Sequence, residues 1–204
     1  MLKNNGGIDI KSPLFDGAYK HNTVLLSGMV ISPVVFAATS VSHSLALICA
    51  FSVITFLTVM ISSFFPRNIV YTIRIILYTL ISSLVYVPVL TVVTQIFPQE
   101  VKEIGIIIPL LITNSLIVSK TELRFFRRTK GKMIIDVLSY IIGFDIVVLL
   151  VGFIREVFGT GMFSGKIIGV PMAFPALVYP FGGFILVGLL GALLKKTIIT
   201  FTKC

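Results

Sequence analysis

Met133 through Ile154 reads MIIDVLSYIIGFDIVVLLVGFI, an apolar run with no Lys or Arg, in which Asp136 and Asp145 are the only acidic side chains. A hydrocarbon core about 30 Å thick is crossed by about 20 helical residues, so this stretch is long enough to span one. Similar runs lie on either side of it, at 23–42, 44–65, 69–97 and 104–119 before and at 167–194 after, each bounded by charge or by Pro and Gly. Backbone groups in lipid must be satisfied internally, and the ~10-residue alternating segments of a barrel are missing. The reading is an all-α integral membrane protein with six transmembrane helices. Composition agrees, since 56% of the 204 residues are hydrophobic and 12% charged at a mean hydropathy of +1.06, against roughly 25% charged in soluble domains. A soluble enzyme is excluded, and little chain is left for an extramembrane catalytic domain.

The net charge of +9 does not point to nucleic acid, because Lys and Arg sit between apolar runs and not on one water-facing surface. It reads instead as membrane orientation. Lys3, Lys11 and Lys20, Arg67 and Arg74, the cluster from Lys120 to Lys132, and Lys195, Lys196 and Lys203 fall on one side of the predicted crossings; only Lys102, Arg155 and Lys166 fall on the other. The positive-inside bias then predicts cytoplasmic N- and C-termini. Residues 1–22 read as a polar cytoplasmic tail, without the apolar core of a signal peptide, and 23–204 as a single transmembrane domain. Cys49 and Cys204 are the only cysteines, too few for a disulfide framework or a Cys-based metal motif within this chain.

Three crossings precede the 98–103 connection and three follow it, so the second half is inverted relative to the first, with repeats at about 23–97 and 104–194. The first helix of each half is interrupted at a similar depth, by Ile31-Ser32-Pro33 and by Thr113-Asn114-Ser115. Pro33 lacks a backbone donor, and Asn and Ser compete for backbone hydrogen bonds, so both are places where a helix breaks near the midplane. Inverted repeats with broken helices place ion or cofactor sites where the halves meet; the plainer reading is that Pro and small polar residues are tolerated in membrane helices and help them pack.

Asp145 lies about halfway along its run, where an ionisable group costs ~2.5–3.5 kcal/mol even on the lenient insertion scale. It is either a cation or proton stop or a hydrogen-bonded group that holds helices together. Asp136, near the cytoplasmic end of the same run, is the second candidate for an ion or proton path; nine residues apart, the two carboxylates point to opposite helix faces and form no acid–base couple. Arg155-Glu156 closes the run as a structural ion pair, ahead of the turn composition Phe158-Gly159-Thr160-Gly161. His21 and His43 fall at run edges, where a solvated imidazole is expected. The prolines at 171, 175 and 180 with Gly182-Gly183 make the start of the last run either re-entrant or a Pro-kinked helix. No phosphate-binding loop, nucleophile elbow or His/Cys metal cluster appears, so the chain has no catalytic residues of its own and no metal site.

Several segments together resemble one family, the membrane subunits of the Rnf complex and of the Na⁺-pumping NADH:quinone reductase, of the Rnf E and Nqr D type. The resemblance rests on Gly28–Ser40 (GMVISPVVFAATS), Ile107–Glu122 (IIPLLITNSLIVSKTE), Asp136, Ile154–Gly161 (IREVFGTG) and Tyr179–Phe184 (YPFGGF). It implies a subunit of an electron-transport complex in a bacterial or archaeal cytoplasmic membrane that couples redox chemistry to Na⁺ or H⁺ translocation. It also implies an inverted sister membrane subunit and flavin-bearing subunits as partners. Typical members supply one Cys from each interrupted helix to an intramembrane [2Fe–2S] cluster; the matching positions here are Ser32 and Ser115. A hydroxyl holds its proton far more tightly than a thiol, so the cluster is expected to be lost, with flavin on partner subunits and no cofactor held by this chain alone. The alternative class, a small secondary transporter or substrate-binding membrane component, also suits six spans, broken helices and Asp145.

Overall fold

Ser40 sits in an extended conformation just before the first long helix, and its hydroxyl oxygen accepts from the His43 backbone N–H. An N-cap of this kind satisfies one of the donors a helix leaves orphaned at its start. The computed structural model describes residues 24–25, 28–65, 70–113, 117, 121, 130–163, 166–167 and 174–203, and six α-helices are seen among them. They are α1 (Ile31–Ala37), α2 (Val41–Ser62), α3 (Tyr71–Ile96), α4 (Pro98–Ile104), α5 (Lys130–Arg155) and α6 (Pro180–Lys203). Both α4 and α6 begin on a proline, where the missing N–H has no helical partner to lose.

Four segments are long and apolar enough to cross a bilayer: Val41–Ser62, Tyr71–Ile96, Gly131–Thr160 and Pro180–Thr200. They answer to the second, third, fifth and sixth runs of the sequence. Their outer faces are apolar, with Ile76, Leu80, Leu84 and Val87 of α3 and Ile142, Ile146 and Phe153 of α5 exposed, while Val85 and Val89 of α3 and Phe144, Val148 and Val151 of α5 are buried. A helix that is apolar all round belongs in lipid, so this is a membrane protein. α2 is the central element, packed between α3 and α5. Phe51 of α2 and Phe144 of α5, both fully buried, stack with ring centroids 3.7 Å apart.

The first and fourth runs, expected as interrupted helices, are not continuous helices where they are described. Where it is described, the first has turns at 24–25 and 29–30, the seven-residue α1, and a bend at 39–40 before α2 begins. The fourth begins where α4 ends and continues into a 3₁₀ turn at Ile108–Leu111. Hydropathy alone does not register such breaks, because the interrupting residues are themselves largely apolar. The all-helical expectation also misses a short hairpin after α5, in which Met162–Phe163 pairs antiparallel with Lys166–Ile167, following Gly161 in the left-handed region. The described start of the last run, Phe174–Tyr179, is irregular around a 3₁₀ turn at Pro175–Leu177, and the helix proper begins only at Pro180.

The contacts described below bring the start of α2, the end of α3 with α4, the end of α5 and the segment before α6 to one end of the molecule. Lys102 and Arg155 lie at that end, whereas Arg74, Lys132, Lys195 and Lys196 lie at the other ends of their helices.

Candidate functional site

The interruption in the first run is built by backbone conformation upstream of its proline. Gly28 and Val30 both have positive φ, +65° and +60°. For glycine this is free, but a β-branched residue held there costs about 1–3 kcal/mol and persists only where its surroundings over-determine it. Helix α1 starts at Ile31, which puts Pro33 in the first turn, where no N–H is required. Pro33 therefore does not itself break the helix. Ser32 is exposed on α1, and Pro33, Val34 and Val35 are buried. After Ala37 the chain bends and α2 begins again at Val41.

A bend between two helices leaves orphan carbonyls at the end of the first and orphan N–H groups at the start of the second. The dipeptide Arg155-Glu156 addresses both. Arg155 is fully buried, and its Nη1 donates to the carbonyls of Val35 at 2.6 Å and Ala38 at 3.0 Å. Its Nε donates to the Leu177 carbonyl at 2.9 Å and its Nη2 to that of Val178 at 2.5 Å. One guanidinium thus ties the end of α1 to the turn before α6. Its neighbour Glu156, 7% exposed, accepts from the Val41 backbone N–H at 2.7 Å. A cation at a helix C-terminus and an anion at an N-terminus also complement the two helix dipoles. The sequence pairs Arg155 with Glu156 as an interfacial ion pair; in the structure their hydrogen bonds run to different segments, and the arginine is enclosed by protein.

Glycines make this approach possible. A Cβ on Gly183 of α6 would meet Val35 Cγ1 at 3.0 Å and Arg155 Nη1 at 3.4 Å, and one on Gly152 of α5 would overlap Ser44 Oγ and stand 2.9 Å from the Ser40 carbonyl oxygen. The Tyr179–Phe184 and Ile154–Gly161 segments are therefore two sides of one buttress around the α1–α2 bend.

The described part of the fourth run adjoins the first interruption. The 3₁₀ turn Ile108–Leu111, whose Ile108 and Leu111 are fully buried, packs against both α1 and α2. Thr113 is exposed, with its hydroxyl 3.5 Å from the Leu110 carbonyl oxygen; Asn114 and Ser115 lie outside the described residues. On the same end, His43 Nδ1 lies 2.9 Å from Thr39 Oγ1 and 2.8 Å from Ser40 Oγ, and its Nε2 lies 2.8 Å from Glu103 Oε2 of α4. A histidine expected to be simply solvated thus joins the bend of the first half to the connection between halves. Its place before an apolar run and three residues after Ser40 was the available signal; Glu103 was not readable as its partner. His21 lies outside the described residues.

Asp145 sits midway along α5 and accepts from Ser52 Oγ of α2, which lies 3.2 Å from each carboxylate oxygen. The group is half-buried, on the same side of α5 as the exposed Ile142, Ile146 and Leu149. Asp136 is 1% exposed. The two carboxylates are thus not brought together. Ser52 is the residue that sequence reading misses here, since one hydroxyl in an apolar run carries no signal until its neighbour across the helix pair is known.

Residues 10–191 match the family described as Rnf-Nqr subunit, membrane protein. Among similar proteins, the E-type subunit of the ion-translocating oxidoreductase complex of Haemophilus ducreyi is 28% identical over 153 residues, covering 74% of this chain and 67% of its own. The D-type subunit of the Na(+)-translocating NADH-quinone reductase of Pseudoalteromonas translucida is 29% identical over 159 residues, 77% of this chain and 75% of its own. The E-type subunit of the ion-translocating oxidoreductase complex of Buchnera aphidicola is 27% identical over 201 residues, 91% of this chain and 88% of its own. With a match that spans most of its length, this chain belongs to the Rnf-Nqr family of membrane subunits.

Proposed function

We propose that this chain is an integral membrane subunit of an electron-transport complex that couples redox chemistry to Na⁺ or H⁺ translocation. The observation that carries the reading is the family match, supported by the packing of the 3₁₀ turn Ile108–Leu111 against α1. Similar proteins are named as subunits of an ion-translocating oxidoreductase complex and of a Na(+)-translocating NADH-quinone reductase. In this reading the chain crosses the bilayer six times as two inverted three-helix repeats, at about 23–97 and 104–194, with both termini cytoplasmic. The four long apolar segments and the division of Lys and Arg between the two ends support it. The partners are an inverted sister subunit and flavin-bearing subunits.

The complex works without a thiolate-held [2Fe–2S] cluster at the interruptions. The described donor there, Ser32, is an exposed hydroxyl, and iron–sulfur chemistry calls for soft thiolates. Cys49 belongs to α2, three residues from Ser52, and not to the interruption. Of the two intramembrane carboxylates, Asp136, enclosed by protein, is the one we assign to the ion path. Purification of the tagged chain from native membranes in mild detergent tests this. A flavin-containing assembly with redox-driven ion movement is expected, together with no [2Fe–2S] signal by electron paramagnetic resonance that changes in Ser32→Ala. A lone protein binding a solute would replace this reading with that of a small transporter.

A further inference from the structure

Asp145 poses a problem that its own chain leaves open. It sits at mid-depth of the helix pair α2–α5, half-buried, with Ser52 as a neutral hydroxyl partner at 3.2 Å from both oxygens. Its surroundings on the outward side are apolar: Val53 of α2 and Ile142, Ile146 and Leu149 of α5 are exposed beside it. A carboxylate in such a place faces hydrocarbon unless another protein covers it, and intramembrane acids characteristically pair with a partner or line a cavity.

We infer that the outer groove of α2–α5 around Asp145 and Ser52 is a docking face for a transmembrane helix of a different polypeptide, one that presents a Lys or Arg at mid-depth. Charge complementarity selects the occupant. A symmetric second copy does not supply it from the described residues. Among the described helices Arg74, Lys102 and Lys132 lie near helix ends, Lys195 and Lys196 lie past the middle of α6, toward the end away from Arg155, and Arg155 is fully buried on its four carbonyls. A symmetric contact would bring two Asp145 groups together with no cation between them. The apolar flanks at Val53, Ile142 and Ile146 then pack against the incoming helix, and the ion pair sets its depth and rotation.

The inference needs only the membrane location of the chain, not its redox role. A photo-crosslinking amino acid placed at Ile146 of the full-length chain, in native membranes, tests it. The expected adduct is with a different polypeptide, mapped to an apolar segment that contains Lys or Arg. Its yield should fall at least fivefold in Asp145→Asn and stay within twofold in Asp145→Glu. The same probe at Leu84, on the outer face of α3, reports whether the variants fold, since its own adducts should then be unchanged. Lipid adducts alone, adducts with a second copy, a mapped segment without a basic residue, or a yield indifferent to Asp145→Asn would each overturn the proposal. An adduct with a basic helix outside any flavin-containing assembly would support the docking face and count against the proposed redox complex.

Discussion

Arg155 Nη1 donates to the Val35 carbonyl at 2.6 Å, joining residues 120 positions apart at the point where the first apolar run breaks. Val35 is one of the last residues of α1, so its carbonyl has no helical partner, and the contact turns a helix end into a fixed point. With the bonds to Ala38, Leu177 and Val178, the same side chain decides where α1 stands relative to α6.

Replacement of this side chain should therefore be severe. Arg155→Met leaves four carbonyls without their donor, each orphaned acceptor costing about 1–3 kcal/mol. Arg155→Lys keeps the charge but loses the planar fork and should recover only part of the loss. Thermal unfolding of the purified chain in detergent is expected to rank wild type above Lys, and Lys above Met. Equal midpoints for all three would show that the buttress contributes nothing.

Glu156 acts at the other side of the bend, on the Val41 N–H. Gln retains an acceptor oxygen, whereas Ala removes it, so Glu156→Ala should cost about 0.5–2 kcal/mol, in the range of a lost N-cap, and Glu156→Gln less. Amide hydrogen exchange at Val41 and the first turn of α2 reads this directly. Faster exchange in the Gln variant than in the Ala variant would contradict the assignment.

Gly152 sets the distance between α2 and α5. Its Cβ would overlap Ser44 Oγ, so Gly152→Ala is expected to destabilise by about 1–3 kcal/mol through overpacking. Adding Ser44→Ala removes the nearest of three crowding atoms and should restore part of that loss, the Ser40 carbonyl oxygen remaining at 2.9 Å and Ser44 Cβ at 3.1 Å. A double-mutant cycle measures the coupling; additive effects would mean that the helices separate freely.

The His43–Glu103 bridge is short, at 2.8 Å, but Glu103 is 68% exposed. Solvent screening makes it a weak contributor, and Glu103→Gln should change stability by no more than about 1 kcal/mol. A loss as large as that of Arg155→Met would place the anchor between the two halves here, and not at the buttress.

The four long helices were legible because each is a local property, a stretch of some twenty apolar residues with charge at its ends. Asp145 was legible as costly for the same reason: one residue type at one depth suffices to raise the question. Its partner Ser52 was not, because a hydroxyl in a membrane helix is unremarkable until the facing helix is known. The sequence reading put the interruption at Ile31-Ser32-Pro33, residues that the structure places inside α1. The backbone turns at Gly28 and Val30, and Pro33 sits harmlessly in the first turn of α1.

Membrane residence, the principal helices and the family resemblance follow from residue order alone, since hydropathy and short segments carry them without reference to distant neighbours. What needed the folded chain was how the broken ends are satisfied. Carbonyls at 35 and 38 and an N–H at 41 are answered by side chains at 155 and 156, and hydrogen-bond partners so far apart in sequence meet only after α2, α5 and α6 have packed.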